Sequence, residues 1–251
     1  MGILEGKVAL VTGGGQGVGR GIALALASEG ASIAITGRTK STLDSTVKEI
    51  QARGVPAIAL PGDVKDDADI EAGVAATVRD LGTVDILVNN AQQVPLGLLL
   101  DMTRDDLDDA WRSGPLAAFS YMKACHPHLI GGGVVINLAT SASLRPDTNG
   151  YGVYGSVKEA MRTLTRAAAC EWGPEGIRVV NLVPLAASSG YQGWEAERPE
   201  EAAAFARTVP LQRVGDCETD IGRVAVFLCG PDASYITGTT IMADGGQAFL
   251  R

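Results

Sequence analysis

The sequence predicts an α/β fold: a doubly wound parallel sheet of seven strands with helices on both faces. Three observations predict it. Short apolar runs recur along the 251 residues and alternate with stretches of helical periodicity. Those runs are apolar on both faces, as strands sandwiched between helical layers must be. A glycine-rich turn joins the first run to the first helical stretch.

In chain order, strands are expected at Val8–Val11, Ile33–Thr36, Ala57–Leu60, Ile86–Val88, Val134–Leu138, Val179–Val183 and Thr240–Ala243. The intervening helical stretches are Arg20–Glu29 (ended by Gly30), Ser41–Ala52, Ala68–Leu81, Asp105–Ala124, Gly152–Trp172 and Thr219–Leu228. In such a sheet a ligand sits at the carboxyl ends of the strands, where strand order reverses. The glycine turn, Gly37-Arg38, Asp63, Asn89, Ser141 and Pro184 all follow expected strand ends.

The turn reads Thr12-Gly13-Gly14-Gly15-Gln16-Gly17-Val18-Gly19, between a strand and a helix. Glycines let the backbone turn sharply and let a pyrophosphate approach it. The helix N-terminus then offers free N–H groups and the positive end of its dipole. The spacing is TGxxxGxG rather than GxGxxG, and no GxxxxGK[ST] is present, so a P-loop is not supported. Order and chemistry point to a Rossmann-type dinucleotide site.

Tyr154 and Lys158 stand four residues apart in a helical stretch, so they share one face. A phenol titrates near 10 in water, and a neighbouring cation favours the phenolate. A Tyr–Lys pair of this kind suits a general acid/base acting on an alcohol or ketone.

Composition bounds the rest. No linker, charge block or internal repeat divides residues 1–251, and 46% of the chain is hydrophobic, which favours one domain. No apolar run approaches the ~20 residues of a membrane span. The segment Met1–Glu5 lacks the basic start and apolar stretch of a signal peptide. A net charge of −8 argues against nucleic acid and suits a cytoplasmic protein. Cys125, Cys170, Cys217 and Cys229 show no CxxC spacing and read as reduced thiols. His126 and His128 flank Pro127 with no carboxylate cluster nearby, so a surface turn is expected there and no metal site.

With the glycine turn near the start and YxxxK past the middle, the chain resembles the single-domain short-chain dehydrogenase/reductase family, from about Leu4 to Gly246. Asp63-Val64 resembles the pair that holds the adenine, and Asn89-Asn90-Ala91 resembles the start of NNAG. Asn181…Pro184 looks like the N…PG segment and Asp244-Gly245-Gly246 like the C-terminal DGG. The resemblance implies a ketone or aldehyde interconverted with an alcohol by hydride transfer. Tyr154 would be the acid/base, and Lys158 would lower its pKa and bind the nicotinamide ribose. Ser141, thirteen residues before Tyr154, would bind the substrate oxygen. Counting forward from Asn137 instead puts Thr140 in that slot and implies one inserted residue within Arg145–Gly150; Ser141 is preferred. The implied cofactor residues are Thr12, Gly13, Gly17, Val18, Gly19, Arg38, Thr39, Asp63, Val64, Asn89, Ala91, Tyr154, Lys158 and Pro184.

By the same resemblance Gly37 occupies the position of the acidic residue that favours NAD, and Arg38 follows it. A guanidinium suits a 2′-phosphate through paired charge-assisted hydrogen bonds, and Thr39 could add a hydroxyl. NADP(H) is therefore expected over NAD(H), although Gln16 stands where a second basic residue often occurs.

Three positions depart from the family. Gly114, before Pro115, replaces a catalytic asparagine whose carbonyl serves a proton relay at a helix kink; Gly-Pro would itself break the helix. Gln92 replaces the glycine of NNAG, where it could contact substrate or narrow the pocket. Leu185 replaces the glycine after Pro184. Residues 186–210 are expected to form a glycine-bearing lid, with Tyr191 and Trp194 as substrate contacts and Ser189 near the carboxamide. Trp111 and Trp172 are expected to pack. A cofactor-binding sensor, or an epimerase or dehydratase with a transient keto intermediate, is the alternative activity. The family also implies a homotetramer or homodimer, for which Met161, Leu164, Ala167–Ala169, Ile236–Ile241 and Phe249 offer apolar surface.

Overall fold

The computed structural model describes residues 2–145 and 149–249. Seven strands form one parallel sheet: β1 Val8–Thr12, β2 Ser32–Gly37, β3 Ala57–Pro61, β4 Ile86–Asn89, β5 Val134–Leu138, β6 Arg178–Pro184 and β7 Thr240–Ala243. Their spatial order is β3-β2-β1-β4-β5-β6-β7. β1 therefore pairs with β2 on one side and β4 on the other, with Leu10 flanked by Ala34 and Leu87. The chain leaves β1 towards one edge and returns to build towards the other. That reversal opens a crevice above the carboxyl ends of β1 and β4.

Burial explains the apolar runs. Every residue of β1, β4 and β5 is buried. Side chains alternate between two cores: Ala9 and Val11 pack with Ile22, Leu24 and Leu26, whereas Leu10 packs with Ile70, Val74, Tyr121 and Met122. The flanking helices are α1 Gly17–Ser28, α2 Lys40–Gln51, α3 Asp67–Leu81, α4 Arg104–Trp111, α5 Ala117–Leu129, α6 Gly152–Trp172, α7 Ser189–Glu197, α8 Pro199–Thr208 and α9 Arg223–Cys229. Polar caps fix several of them: Asp66 accepts from Ala68 N before α3, and Thr103 and Asp106 form a capping box on α4. No described helix is long and apolar enough to cross a membrane.

Four expectations are corrected. Gly114-Pro115 does not break the helix; residues Arg112–Leu116 form a π-bulge that carries α4 into α5, so the lost Pro115 N–H is absorbed by a wider turn. His126 and His128 lie in the last turns of α5 rather than in a surface turn, with Pro127 close enough to the helix end to be tolerated. No group of three potential metal ligands occurs among the described residues. Trp111 is largely exposed rather than packed, while Met161, Ala168 and Ala169 are buried within the chain and offer no surface to another copy.

Candidate active site

A cavity of about 1180 Å³ follows the carboxyl ends of the strands from Arg38 to the segment carrying Trp194. Its inner wall is the glycine turn. Gly13 and Gly17 hold φ of +65° and +53°, a region that favours glycine. A Cβ on Gly17 would point across the cleft to Ser188 and Ser189 N at 3.6 Å, into the space between turn and lid. Gln16, at the N-cap of α1, makes no side-chain cap, so the first N–H groups of the helix remain available to an anion. The turn thus fits a pyrophosphate.

Of the expected cofactor residues, Gly13, Gly17, Val18, Arg38, Thr39, Asp63, Val64, Ala91, Tyr154, Lys158 and Pro184 line this cavity. Thr12, Gly19 and Asn89 do not. Thr12 Oγ1 donates to Val88 O at 3.3 Å and accepts from Asn90 N and Ala91 N at 2.9 and 3.0 Å, so it ties β1 to the end of β4. Gly19 makes room for Asn90: a Cβ there would overlap Asn90 Nδ2 and Gly13 O. Asn89 Nδ2 donates to Asn137 Oδ1 at 2.8 Å. Asn137 Nδ2 in turn meets Thr165 Oγ1, which donates to Asn181 Oδ1, both at 2.8 Å. These three residues shape the site from behind.

Arg38 is exposed at the cavity rim and makes no ion pair among the described residues. Gly62 N donates to Gly37 O at 3.0 Å, which brings Asp63 beside it. Asp63 accepts from Lys65 N at 3.0 Å.

The residues expected to transfer the proton, Tyr154 and Lys158, both line this cavity. Lys158 is only 2% exposed, and its Nζ donates to Leu138 O at 2.6 Å. Burial disfavours its charge and lowers its pKa to about 7. Nζ lies 5.7 Å from the Tyr154 ring centroid. Burial raises the Tyr154 phenol to about 12; a hydrogen bond with the Thr140 side chain opposes this, and Tyr151 adds to it. Desolvation is the largest influence on the phenol, and the Lys158 ammonium is turned to the Leu138 carbonyl.

The two counted hydroxyls have separate partners. Thr140 is the one whose side chain pulls the Tyr154 phenol down, and its Oγ1 accepts from Ala142 N at 3.2 Å. Ser141 Oγ donates to Gln247 Oε1 at 2.8 Å. Both residues line the cavity. Part of the counted insertion falls on residues 146–148, which lie outside the described residues. Gln247 was not expected here. Its only sequence signal is its position just after Asp244-Gly245-Gly246, where Asp244 accepts from Gly246 N and Ala248 N at 3.1 and 2.8 Å and pins the segment.

At the outer end the segment expected to form a lid folds as α7 and α8, with Gly190 and Gly193 inside α7. Ser188 caps α7 by accepting from Tyr191 N at 3.3 Å. Tyr191, Trp194 and Phe205 form a cluster with ring centroids 5.7, 5.8 and 6.4 Å apart. Val94, Leu96 and Leu185 also line the cavity. Gln92 also borders the cavity, but its Nε2 turns inward to Gln93 O and Ala110 O, both at 2.9 Å. That direction does not favour the expected substrate contact.

Glycine turn, Tyr–Lys pair and parallel sheet agree with the comparisons. The family model for Enoyl-(Acyl carrier protein) reductase matches residues 13–248. The 12alpha-hydroxysteroid dehydrogenase of Clostridium sp. is 39% identical over 98% of both chains. The chain belongs to the short-chain dehydrogenase/reductase family. Versicolorin reductase 1 of Aspergillus parasiticus is 33% identical to this dehydrogenase/reductase over 97% of both chains. Among solved structures, a short chain dehydrogenase from Burkholderia cenocepacia in complex with NADP superposes with a TM-score of 0.89 at 32% identity, covering 97% of this chain and 98% of its own. The protein is thus an oxidoreductase acting on hydroxyl or carbonyl groups with NAD(P).

Proposed function

We propose that this enzyme interconverts a bulky, ring-bearing secondary alcohol and its ketone with NADP(H), using Tyr154 as the acid/base. The convergence of Thr140, Tyr154 and Lys158 at the middle of one continuous cavity carries the reading. The glycine turn would hold the pyrophosphate, Asp63 and Val64 the adenine, Arg38 and Thr39 the 2′-phosphate, and Lys158 and Pro184 the nicotinamide half. NADP(H), when bound, supplies or accepts the hydride.

In the reducing direction Tyr154 donates a proton to the substrate oxygen. The phenol is protonated at neutral pH, the form that donates; burial, which raises its pKa, holds it in that form. Thr140 is favoured over Ser141 as the second hydroxyl on that oxygen, because its side chain acts on the phenol while Ser141 Oγ is turned to Gln247. Ser141 and Gln247 form a neighbouring polar post for another substrate group.

The aromatic cluster supports a large apolar substrate. The three rings give broad apolar contact, and Val94, Leu96 and Leu185 add apolar lining to the same cavity. Relatives named for hydroxysteroid, versicolorin and hydroxynaphthalene point to the same class. Arg38 supports NADP(H), since an unpaired guanidinium at the rim suits a phosphate dianion.

The test is calorimetric titration with NADPH and NADH separately, followed by a turnover screen of fused-ring ketones against short open-chain ones. Tighter NADPH binding and turnover confined to ring ketones are expected. Failure to bind either nucleotide would sink the reading. Preference for NADH would overturn the role of Arg38, and preference for small polar ketones would overturn that of the aromatic lid.

A further inference from the structure

We propose that Gln92 is a positioning residue for proton transfer: its amide takes the space and a hydrogen-bonding duty that Gly114-Pro115 leave open. It thereby holds the π-bulge in register with the helix that carries Tyr154 and Lys158. The inference rests on reading that helix as the catalytic one.

Space gives the first argument. Gly114 is buried, and a Cβ built on it would overlap Gln92 Oε1 and lie 2.9 Å from both Cδ and Nε2. The glutamine amide fits only because residue 114 has no side chain. The two positions are 22 residues apart by their numbers yet occupy one volume.

Hydrogen bonding gives the second. Pro115 has no N–H, so a carbonyl of the preceding turn loses its donor. In the i→i+5 ladder of a π-bulge that carbonyl belongs to Ala110. Gln92 Nε2 donates to Ala110 O at 2.9 Å. Ser113 reinforces the connection: its Oγ accepts from Gln93 N at 3.0 Å and Gln92 Nε2 at 3.3 Å and donates to Asp109 O at 2.6 Å. The segment after β4 is thus fastened to the bulge through consecutive residues.

Packing links the bulge to the chemistry. Ala110 shares an apolar cluster with Val153 and Val157, the immediate neighbours of Tyr154 and Lys158. A shift of the bulge would move α6 where the acid/base stands. Stability alone does not explain a glutamine here, because its Oε1 is buried without a partner, an arrangement that costs stability.

The test is a mutant cycle of Q92G, G114N and Q92G/G114N, with Q92M as an isosteric variant lacking the amide. It reads kcat, KM, the pH dependence of kcat and the melting temperature of the ligand-free protein. Q92G and Q92M should lower kcat about ten-fold, one hydrogen bond's worth, and displace its pH profile, while KM changes less than about two-fold. G114N should fall further, because two amides then contend for one volume. The double variant should regain most of the loss in both kcat and melting temperature relative to G114N. Strictly additive effects would overturn the coupling. A Q92M enzyme with parental kcat and pH profile would overturn the hydrogen-bonding role. If the parent turned over no carbonyl substrate, the proposed function would fail, whereas the melting cycle would still decide whether Gln92 and Gly114 are coupled.

Discussion

The two ends of the cavity are made of different material. The end beside β1 and β2 is mostly backbone: a turn whose glycines supply positive φ and clear space, above a helix N-terminus with free N–H groups. The end beside β5 and β6 is mostly side chains brought from far apart: Thr140 with Tyr154, Ser141 with Gln247, and Gln92 against Gly114. A backbone site tolerates little change in spacing. A side-chain site can be rewired one residue at a time, and two of this chain's departures from the family pattern, Gln92 and Gly114, meet there.

The largest expected effect breaks the side-chain end and spares the backbone end. Replacing Tyr154 with Phe should lower kcat by about 10²–10⁴, the usual contribution of a general acid/base. NADPH affinity should change little, since the turn and Arg38 are untouched. Stopped-flow turnover together with calorimetry checks this. Retained turnover would mean that another group delivers the proton.

The buried lysine gives the next prediction. Above about pH 7 the folded protein holds Lys158 neutral, while the unfolded chain keeps its proton up to the ordinary 10.5. The unfolded state then binds more protons, so this residue makes stability rise with pH between those values. Replacing Lys158 with Met removes the dependence. The parent should melt below the variant at neutral pH by its largest margin and gain on it steadily towards pH 10. A gap that stays constant with pH would show that Lys158 remains charged in the fold.

Thr140 and Ser141 divide the side-chain end more finely. With Thr140 as the donor to the developing oxyanion, Thr140→Ala should lower kcat by about 10²–10³. Ser141→Ala removes only the bond to Gln247 and should act mainly on KM. The reverse ranking, measured on one ring ketone, would restore Ser141 to the oxygen-binding role.

The same contrast decides what could be read from the sequence. The seven strands were legible because strands buried on both faces are continuous apolar runs. The glycine turn was legible because backbone geometry constrains residue type at fixed spacing. The partner of Tyr154 was not fixed, because two adjacent hydroxyls satisfy different counts and only the geometry separates them. Gln247 gave no signal beyond its place after Asp244-Gly245-Gly246, since an amide facing a cavity and one facing water look alike in a sequence. Gln92 and Gly114 each read as an isolated departure, and the overlap that connects them exists only in three dimensions. The bulge at Arg112–Leu116 was missed because a Gly-Pro pair marks a lost helical bond without saying how the chain absorbs it.

The smallest expected effect concerns the one selective side chain at the backbone end. Glycines and helix N–H groups can hold a pyrophosphate from either nicotinamide cofactor, so the proposed discrimination rests on Arg38. A hydrogen bond to a charged group contributes about 1.5–3 kcal/mol, which corresponds to roughly ten- to a hundred-fold in affinity. Arg38→Ala should therefore weaken NADPH by that factor and leave NADH nearly unchanged, as measured by calorimetry at fixed ionic strength. The loss should shrink at high salt, because an exposed guanidinium is screened. If both cofactors weakened equally, Arg38 would be acting on the adenosine they share. The backbone end would then have no selector of its own, and cofactor preference would have to come from Thr39 or from the backbone after β2.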